Sequence, residues 1–295
     1  MLVGPTGVGK SALAVELAEV LNGEIVGADA FQIYSGLEIL TAQPDATLRQ
    51  RVVHHLIGSV PCQEVFNAGR YLPLAEAAIS DIRARGKVPI VVGGTGLYIK
   101  ALTHGISETP QVDVEIREKL EAFSLEELLN QLKGLDPDSV ETIDTKNRRR
   151  VQRALEICLQ TGEAASKLRE EWKRPSRPCR GIVLTREREE LTERIHVNIL
   201  QMLERGVMEE IRSLKSIGAT AQEAIGYRDA VLHLNGSLTR EQWVEQTHRA
   251  SCQYAKRQLT WFKNQTKFPL LKLSAFSNLR DSLTASLDSL TAPLE

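Results

Sequence analysis

Gly4-Pro5-Thr6-Gly7-Val8-Gly9-Lys10-Ser11 satisfies G-x-x-x-x-G-K-[ST] at every position, and its reading decides the fold. Apolar Leu2-Val3 precede it and a helical pattern over Ser11–Leu21 follows, so the motif sits in a strand–loop–helix context. The glycines let backbone N–H groups turn inward around a phosphate, while the helix directs its positive dipole end at the anion. Lys10 neutralises phosphate oxygens and the Ser11 hydroxyl is suited to Mg²⁺. Gly4, Pro5, Thr6, Gly7, Val8, Gly9, Lys10 and Ser11 are therefore the expected phosphate-binding set, with Ser11 the expected metal ligand. A chance match arises in roughly one chain in a hundred of this length at average residue usage. Only three residues precede Gly4, fewer than a usual strand, so a weakened central strand is expected. The loop implies a bound di- or triphosphate without saying whether phosphate is transferred, hydrolysed or expelled.

Working outward, Ile25–Ala28 and Val88–Val92 read as strands and Tyr71–Ala84 as a helix. Such alternation predicts βαβ units and a parallel sheet, with functional residues just past the strands' C-terminal ends. After a break at Ser107–Pro110, helices are predicted over Val114–Phe123, Ser124–Lys133 and Arg150–Thr161, punctuated by Asp136-Pro137 and Gly162. Past Pro175 and Pro178 a short strand, Gly181–Leu184, is followed by one long helix carrying Leu191, Ile195, Ile199, Met202, Ile211 and Leu214. Another long helix covers about 240–263, and Leu279, Leu283 and Leu287 mark a final amphipathic one. The expected architecture is an α/β, P-loop NTPase-like parallel-sheet core (residues 1–112 and 179–295) interrupted by a helical insertion domain (113–178).

The chain of 295 residues is 42% hydrophobic and 25% charged, which excludes disordered and collagen-like classes. No run approaches the roughly 20 apolar residues of a membrane helix, and no secretory leader is evident. Cys62, Cys158, Cys179 and Cys252 are scattered, which argues against a zinc site or disulfide framework and for a reducing cytosol. The net charge of −1 hides an asymmetry: Ser107–Thr145 holds eleven acidic and three basic residues, Lys146–Arg180 eleven basic and four acidic. Two readings stay open at this point, oppositely charged helical surfaces that pair, or a positive field offered to a polyanion.

Asp29 ends the second strand and is expected beside the phosphate loop. It can hold Mg²⁺ through water, act as a base, or cap the next turn; position alone ranks the metal role above the base role. The third strand ends in Gly93-Gly94-Thr95-Gly96 rather than in the acidic residue an ordinary NTPase carries, which disfavours hydrolysis. Thr95 either hydrogen-bonds at the sheet's crevice or caps a helix. For the adjacent His54-His55, packing or a polar contact is expected rather than metal binding.

Several blocks in order, together, resemble the bacterial tRNA dimethylallyltransferases (tRNA isopentenyltransferases). They are Gly4–Ser11; Asp29-Ala30-Phe31-Gln32-Ile33-Tyr34 with Thr41-Ala42-Gln43-Pro44; Val53-His54-His55-Leu56-Ile57; Val92–Tyr98; Arg153-Ala154-Leu155-Glu156; Ala224-Ile225-Gly226-Tyr227-Arg228; and Ala255–Phe262. The resemblance spans about residues 1–265. It implies transfer of a dimethylallyl group from dimethylallyl diphosphate to the exocyclic amine of the adenosine 3′ of the anticodon, with Mg²⁺ assisting. By the same resemblance the catalytic residues are Asp29, as base, and Thr95; Arg194 joins the diphosphate set. The tRNA-contacting set is Asp29, Ala30, Phe31, Gln32, Arg117, Arg149, Arg150, Val151, Gln152, Arg153, Gly226, Tyr227 and Arg228. The sequence departs from the family at Ala30, usually serine, and at Gln43, usually lysine.

The chemistry suits these residues. An allylic carbon ionises as electrons collect on the departing diphosphate, so donors, cations and Mg²⁺ at that group are the main lever. Adenine's amine is a weak nucleophile, and a carboxylate that takes its proton contributes about 10²–10⁴-fold; this moves the base role of Asp29 above the metal role. The target base must leave its stack to enter a pocket. Basic residues at 146–153, with Arg249, Lys256 and Lys263 on one helix face, are candidate backbone contacts. The competing readings are a small-molecule or nucleoside kinase with ATP in the loop, and a non-catalytic RNA-binding GTPase-like switch. The expected protein is a cytoplasmic monomer acting on the tRNA anticodon stem-loop.

Overall fold

The computed structural model describes residues 1–106, 113–171, 179–276 and 278–291. The break at Ser107–Pro110, Pro175 and Pro178 lie outside the described residues. Contacts divide the chain into two compact units: Met1–Leu102 with Cys179–Glu295, and Thr103–Pro178.

In the first unit the strands are β1 (Leu2–Val3), β2 (Gly23–Gly27), β3 (Tyr34–Ser35), β4 (His54–His55), β5 (Val60–Pro61), β6 (Val88–Gly93), β7 (Ile182–Thr185) and β8 (Leu270–Lys272). Six of them form one parallel sheet in the order β4-β2-β6-β1-β7-β8; β3 and β5 pair separately. Short as it is, β1 pairs on both sides, Leu2 with Val92 and Ile182, Val3 with Gly93 and Val183. Neighbouring strand residues face opposite ways, as the pleat requires. Leu2, Ile25, Ile90, Val92, Ile182 and Leu184 pack with Leu13, Ala14 and Leu17 of the helix Lys10–Val20. Val3, Val26, Val91 and Val183 pack on the other face with Tyr71, Ile99, Ile195, Trp243 and Phe262 from four further helices. A sheet covered on both faces explains why its strands carry almost unbroken apolar runs.

The long helix expected through Leu214 is two helices, Arg188–Glu204 and Val207–Ser213. Gly206 between them takes φ +88, a left-handed turn that stops the first helix. The break lets Glu210 accept the Ile39 and Leu40 N–H groups at 2.7 and 2.8 Å. Burial pushes that carboxyl up, and the two backbone donors oppose the rise.

The second unit is helical among its described residues: Val114–Glu121, Leu125–Leu135, Pro137–Thr142, Arg148–Thr161 and Ala165–Glu171. Leu120, Leu128, Leu132, Val151 and Leu155 form its core. Ser124 and Glu127 make a reciprocal capping box, and Gly162 ends Arg148–Thr161 at φ +71. Among all described residues, no helix is long and apolar enough to cross a membrane.

Buried Glu24 locks one side of the sheet. It accepts from Arg85 Nη2 at 2.7 Å, Lys87 Nζ at 2.8 Å and His55 Nε2 at 2.7 Å, tying β2 to β4 and to the entry of β6. The Arg85 guanidinium, more than burial opposes it, holds the carboxyl well below the usual range. A depressed carboxylate stabilises the fold above the ordinary value of 4.5, and that stabilisation drains away as pH falls below it. Glu24→Gln should therefore cost about 1–3 kcal/mol at pH 7, with the gap to wild type narrowing in urea unfolding at pH 3.

Candidate functional site

Three neighbouring strands place the expected residues along one edge. The phosphate loop leaves β1, Thr95 follows β6, and Asp29 follows β2. In the loop, Gly7 and Gly9 take φ +77 and +104, a region side-chain-bearing residues avoid. Lys10 Nζ donates to the Gly4 and Pro5 carbonyls at 3.0 and 2.8 Å. Burial lowers its pKa to about 8, against the pull of the nearby Asp29 carboxylate. Arg194 Nε donates to the Gly7 carbonyl at 3.0 Å, so the arginine assigned by resemblance does lie against the loop. Ser11 stands at the start of the helix Lys10–Val20, half-buried.

Asp29 divides its two oxygens. Oδ1 accepts the Phe31 and Gln32 N–H groups at 3.0 and 3.3 Å, closing the turn that presents those residues. The turn-capping role left open for Asp29 is thus real, and it occupies one oxygen only. Thr95 does not spend its hydroxyl on its own helix: Oγ1 accepts the Ala30 N–H at 2.9 Å, while the Thr95 N–H donates to the Ala28 carbonyl at 3.2 Å. Ala30, where the family usually has serine, therefore meets Thr95 through its backbone. Gln32 donates from Nε2 to the Thr41 and Ala42 carbonyls at 3.2 and 2.9 Å. Gln43 is buried and donates to the Tyr34 carbonyl at 2.7 Å.

The motifs assign no role to two further residues. Gln258 accepts the Thr6 N–H at 2.8 Å and donates to the Gly94 carbonyl at 2.9 Å, joining the phosphate loop to the strand end that bears Thr95. A Cβ on Gly94 would come within 2.2 Å of its Nε2, which explains a glycine there. Tyr254, one turn earlier on the helix Arg240–Gln265, has Thr95 and Gln258 as hydrogen-bonding neighbours. Burial, then the Asp29 charge, pushes its phenol up, as both do for Tyr98, which stacks on Tyr71 at 4.0 Å. The sequence signal was the block Ala255–Phe262, which contains Gln258 and begins one residue after Tyr254.

The remaining candidates stand elsewhere. Gly226 takes φ +87 and its carbonyl accepts Trp243 Nε1 at 2.9 Å; Arg228 is exposed and pairs with Glu223. In the helical unit, Arg117 Nε donates to Glu156 at 2.8 Å and Arg153 lies on the same carboxylate at 3.3 Å. The acidic and basic segments thus meet through both charge combinations, Arg117 with Glu156 and Asp136 with Arg169 at 4.0 Å. Arg149 and Arg150 are exposed and Gln152 is half-buried. Val151 is fully buried among Leu128, Leu132 and Leu155, so its side chain packs the unit and cannot contact RNA; apolar helical spacing, not recognition, sets that residue. His55 is the Glu24 partner above and His54 Nδ1 lies 2.8 Å from the Val52 carbonyl. Two shallow hollows of about 390 and 400 Å³ lie around His196 and His248 and around Gln43 and Arg49, away from the phosphate loop.

The profile of the IPP transferase family matches residues 32–265. The tRNA dimethylallyltransferase of Akkermansia muciniphila is 44% identical over 264 residues, 90% of each chain, and that of Anoxybacillus flavithermus is 41% identical over 271, covering 90% of this chain and 87% of the relative. Among solved structures, the tRNA isopentenylpyrophosphate transferase of Bacillus halodurans superposes with a TM-score of 0.71 at 33% identity, over 98% of this chain and 95% of that one. A eukaryotic dimethylallyltransferase acting on tRNA gives 0.81 at 29%, over 97% and 76%. With a matching profile across most of its length and a shared fold, this chain belongs to the IPP transferase family.

Proposed function

We propose that the protein transfers a dimethylallyl group from dimethylallyl diphosphate to the exocyclic amine of the adenosine next to the anticodon's 3′ side, releasing diphosphate. The observation that carries this reading is the juxtaposition of a phosphate loop with a carboxylate, Asp29, that keeps one oxygen outside the turn it closes. In the step, the amine nitrogen bonds the allylic carbon as the carbon–oxygen bond to diphosphate breaks. The bonding electrons leave with the diphosphate, and Asp29 Oδ2 takes the amine proton. Lys10, Arg194 and the loop's N–H groups receive the leaving group's charge. Thr95 holds the Ala30 backbone, keeping the Asp29 turn in register with β6. Buried Tyr98 and half-buried Tyr254 line the surroundings of the carboxylate, where exclusion of water strengthens every charge.

The donor set fits Mg²⁺ in one way. Among the described residues no three acidic, histidine or cysteine side chains cluster as a metal cage. Ser11 Oγ would be the protein ligand, with phosphate oxygens and water completing the shell, as Mg²⁺ prefers. When bound, the ion adds positive charge at the departing diphosphate.

The tRNA anticodon stem-loop is the proposed partner. Phe31 and Gln32, the exposed Arg149 and Arg150 of the insertion, and Arg228 supply the contacts, and binding should weaken steeply with salt. A monomer in the cytoplasm is the working form. The kinase reading loses ground because relatives across nearly the whole chain are dimethylallyltransferases.

Mass analysis of anticodon-loop adenosines, after incubation with unmodified tRNA, Mg²⁺ and dimethylallyl diphosphate, tests the activity; unchanged mass would refute it. Asp29→Asn should slow transfer about 10²–10⁴-fold while diphosphate affinity stays unchanged or tightens slightly; equal loss of both would assign Asp29 to metal binding. Because burial holds Lys10 near 8 rather than 10.5, the free protein's affinity for inorganic diphosphate should fall as pH rises through about 8. Calorimetric titration from pH 6.5 to 9.5 measures this, and Lys10→Ala should flatten the profile.

A further inference from the structure

We propose that Arg186, which no motif singles out, is a second guanidinium of the diphosphate site, held in reserve by Glu190. The inference rests on the diphosphate reading of the phosphate loop and extends it to a residue outside the loop.

Arg186 follows β7 directly, on the strand beside β1, so the sheet delivers it to the loop. Its Nε donates to the Val8 carbonyl at 2.9 Å, one residue from where Arg194 holds Gly7. The two guanidinium groups thus grip consecutive carbonyls of the loop, turning those oxygens outward. Their Nη2 atoms converge on the same glycine: a Cβ on Gly9 would lie 3.6 Å from that of Arg186 and 3.8 Å from that of Arg194. Two like charges so placed repel. Burial first, and the Arg186 charge second, lower the pKa of Arg194. With Lys10 the loop gathers three cations, an arrangement that a polyanion relieves.

Glu190 is the counter-charge on the page. It bonds Arg186 Nη1 from one turn along the helix Arg188–Glu204, and its other oxygen accepts the Ser274 hydroxyl at 2.5 Å. Nε and Nη1 of Arg186 are therefore committed, and Nη2, on the edge facing Gly9, has no partner among the described residues. The side chain is only 17% exposed, so its guanidinium is fixed rather than sampling solvent. Rigid placement with one uncommitted edge is the geometry in which a guanidinium meets a phosphate oxygen at little entropic cost.

Calorimetry with inorganic diphosphate and the full chain, without tRNA, tests this. A charge-assisted contact predicts that Arg186→Gln weakens binding about tenfold or more, with Arg186→Lys in between. Glu190→Gln keeps a hydrogen-bonding group beside Arg186 and removes the competing charge, so it should tighten binding about two- to fivefold, a gain that Arg186→Gln abolishes in the double variant. A purely structural clamp predicts the opposite sign for Glu190→Gln, and weakening there would overturn the proposal. Lys10→Ala separates the two levels of the argument. Loss of binding in Lys10→Ala with wild-type affinity in both Arg186 variants would sink the Arg186 assignment alone; unchanged affinity in all of them would sink the diphosphate reading beneath it.

Discussion

Parallel pairing of β2 with β6, and of β6 with β1, is the constraint from which the site follows. Parallel strands end on the same side of a sheet, so whatever follows each one is forced into a shared crevice. Here those followers are Asp29, Thr95 and the phosphate loop. The register leaves little slack: the Ala28 N–H donates to Val92 and the Thr95 N–H to Ala28, so the ladder runs on past the last residues of both strands. A two-residue β1 suffices because it lies between two partners and is fully buried.

Upon this edge the protein concentrates unlike charges at close quarters. Lys10 stands half-buried near Asp29, and Arg186 and Arg194 stand together against the loop. Each cation is anchored to a loop carbonyl, so it is positioned before any ligand binds. That preorganisation is suited to a reaction whose charge gathers on a leaving group, because the donors need not move as the charge arrives. Gln258 adds mechanical continuity, since a single amide spans Thr6 and the strand end at Gly94.

Much of this was legible in the chain because its physics is local. The phosphate loop needs glycines at fixed offsets, buried strands need apolar runs, and the break from strands to helices announces the insertion. Contacts distant in sequence left no such trace. Gln258 and Tyr254 look like any polar positions on a helix until folding lays them over Thr6 and Thr95. Arg186 resembles a surface arginine at a helix start, and Glu210 one more exposed glutamate of an amphipathic pattern. The single long helix failed at Gly206 for a related reason. Periodicity on either side continued through the glycine, while the backbone used its left-handed freedom to turn. Val151 shows the reverse: the resemblance sets it in a tRNA-contacting stretch, while apolar helical spacing turns its side chain into the core of the helical unit.

Asp29 shows why some of these positions tolerate little change. Its Oδ1 closes the turn that carries Phe31 and Gln32, and Gln32 in turn is tethered to the Thr41 and Ala42 carbonyls. Ala42 itself takes φ +50, a conformation held by its surroundings, with Glu210 pinning Ile39 and Leu40 just before it. A chain of short polar contacts therefore runs from the half-buried Glu210 carboxylate, through the turn at Ala42, to the Gln32 side chain. Removing the carboxylate of Asp29 would perturb both the proposed chemistry and the turn that carries Phe31 and Gln32. An amide there retains the oxygen that closes the turn and loses the basic one. Only that exchange separates the turn-closing duty of Asp29 from the proton-accepting duty proposed for it.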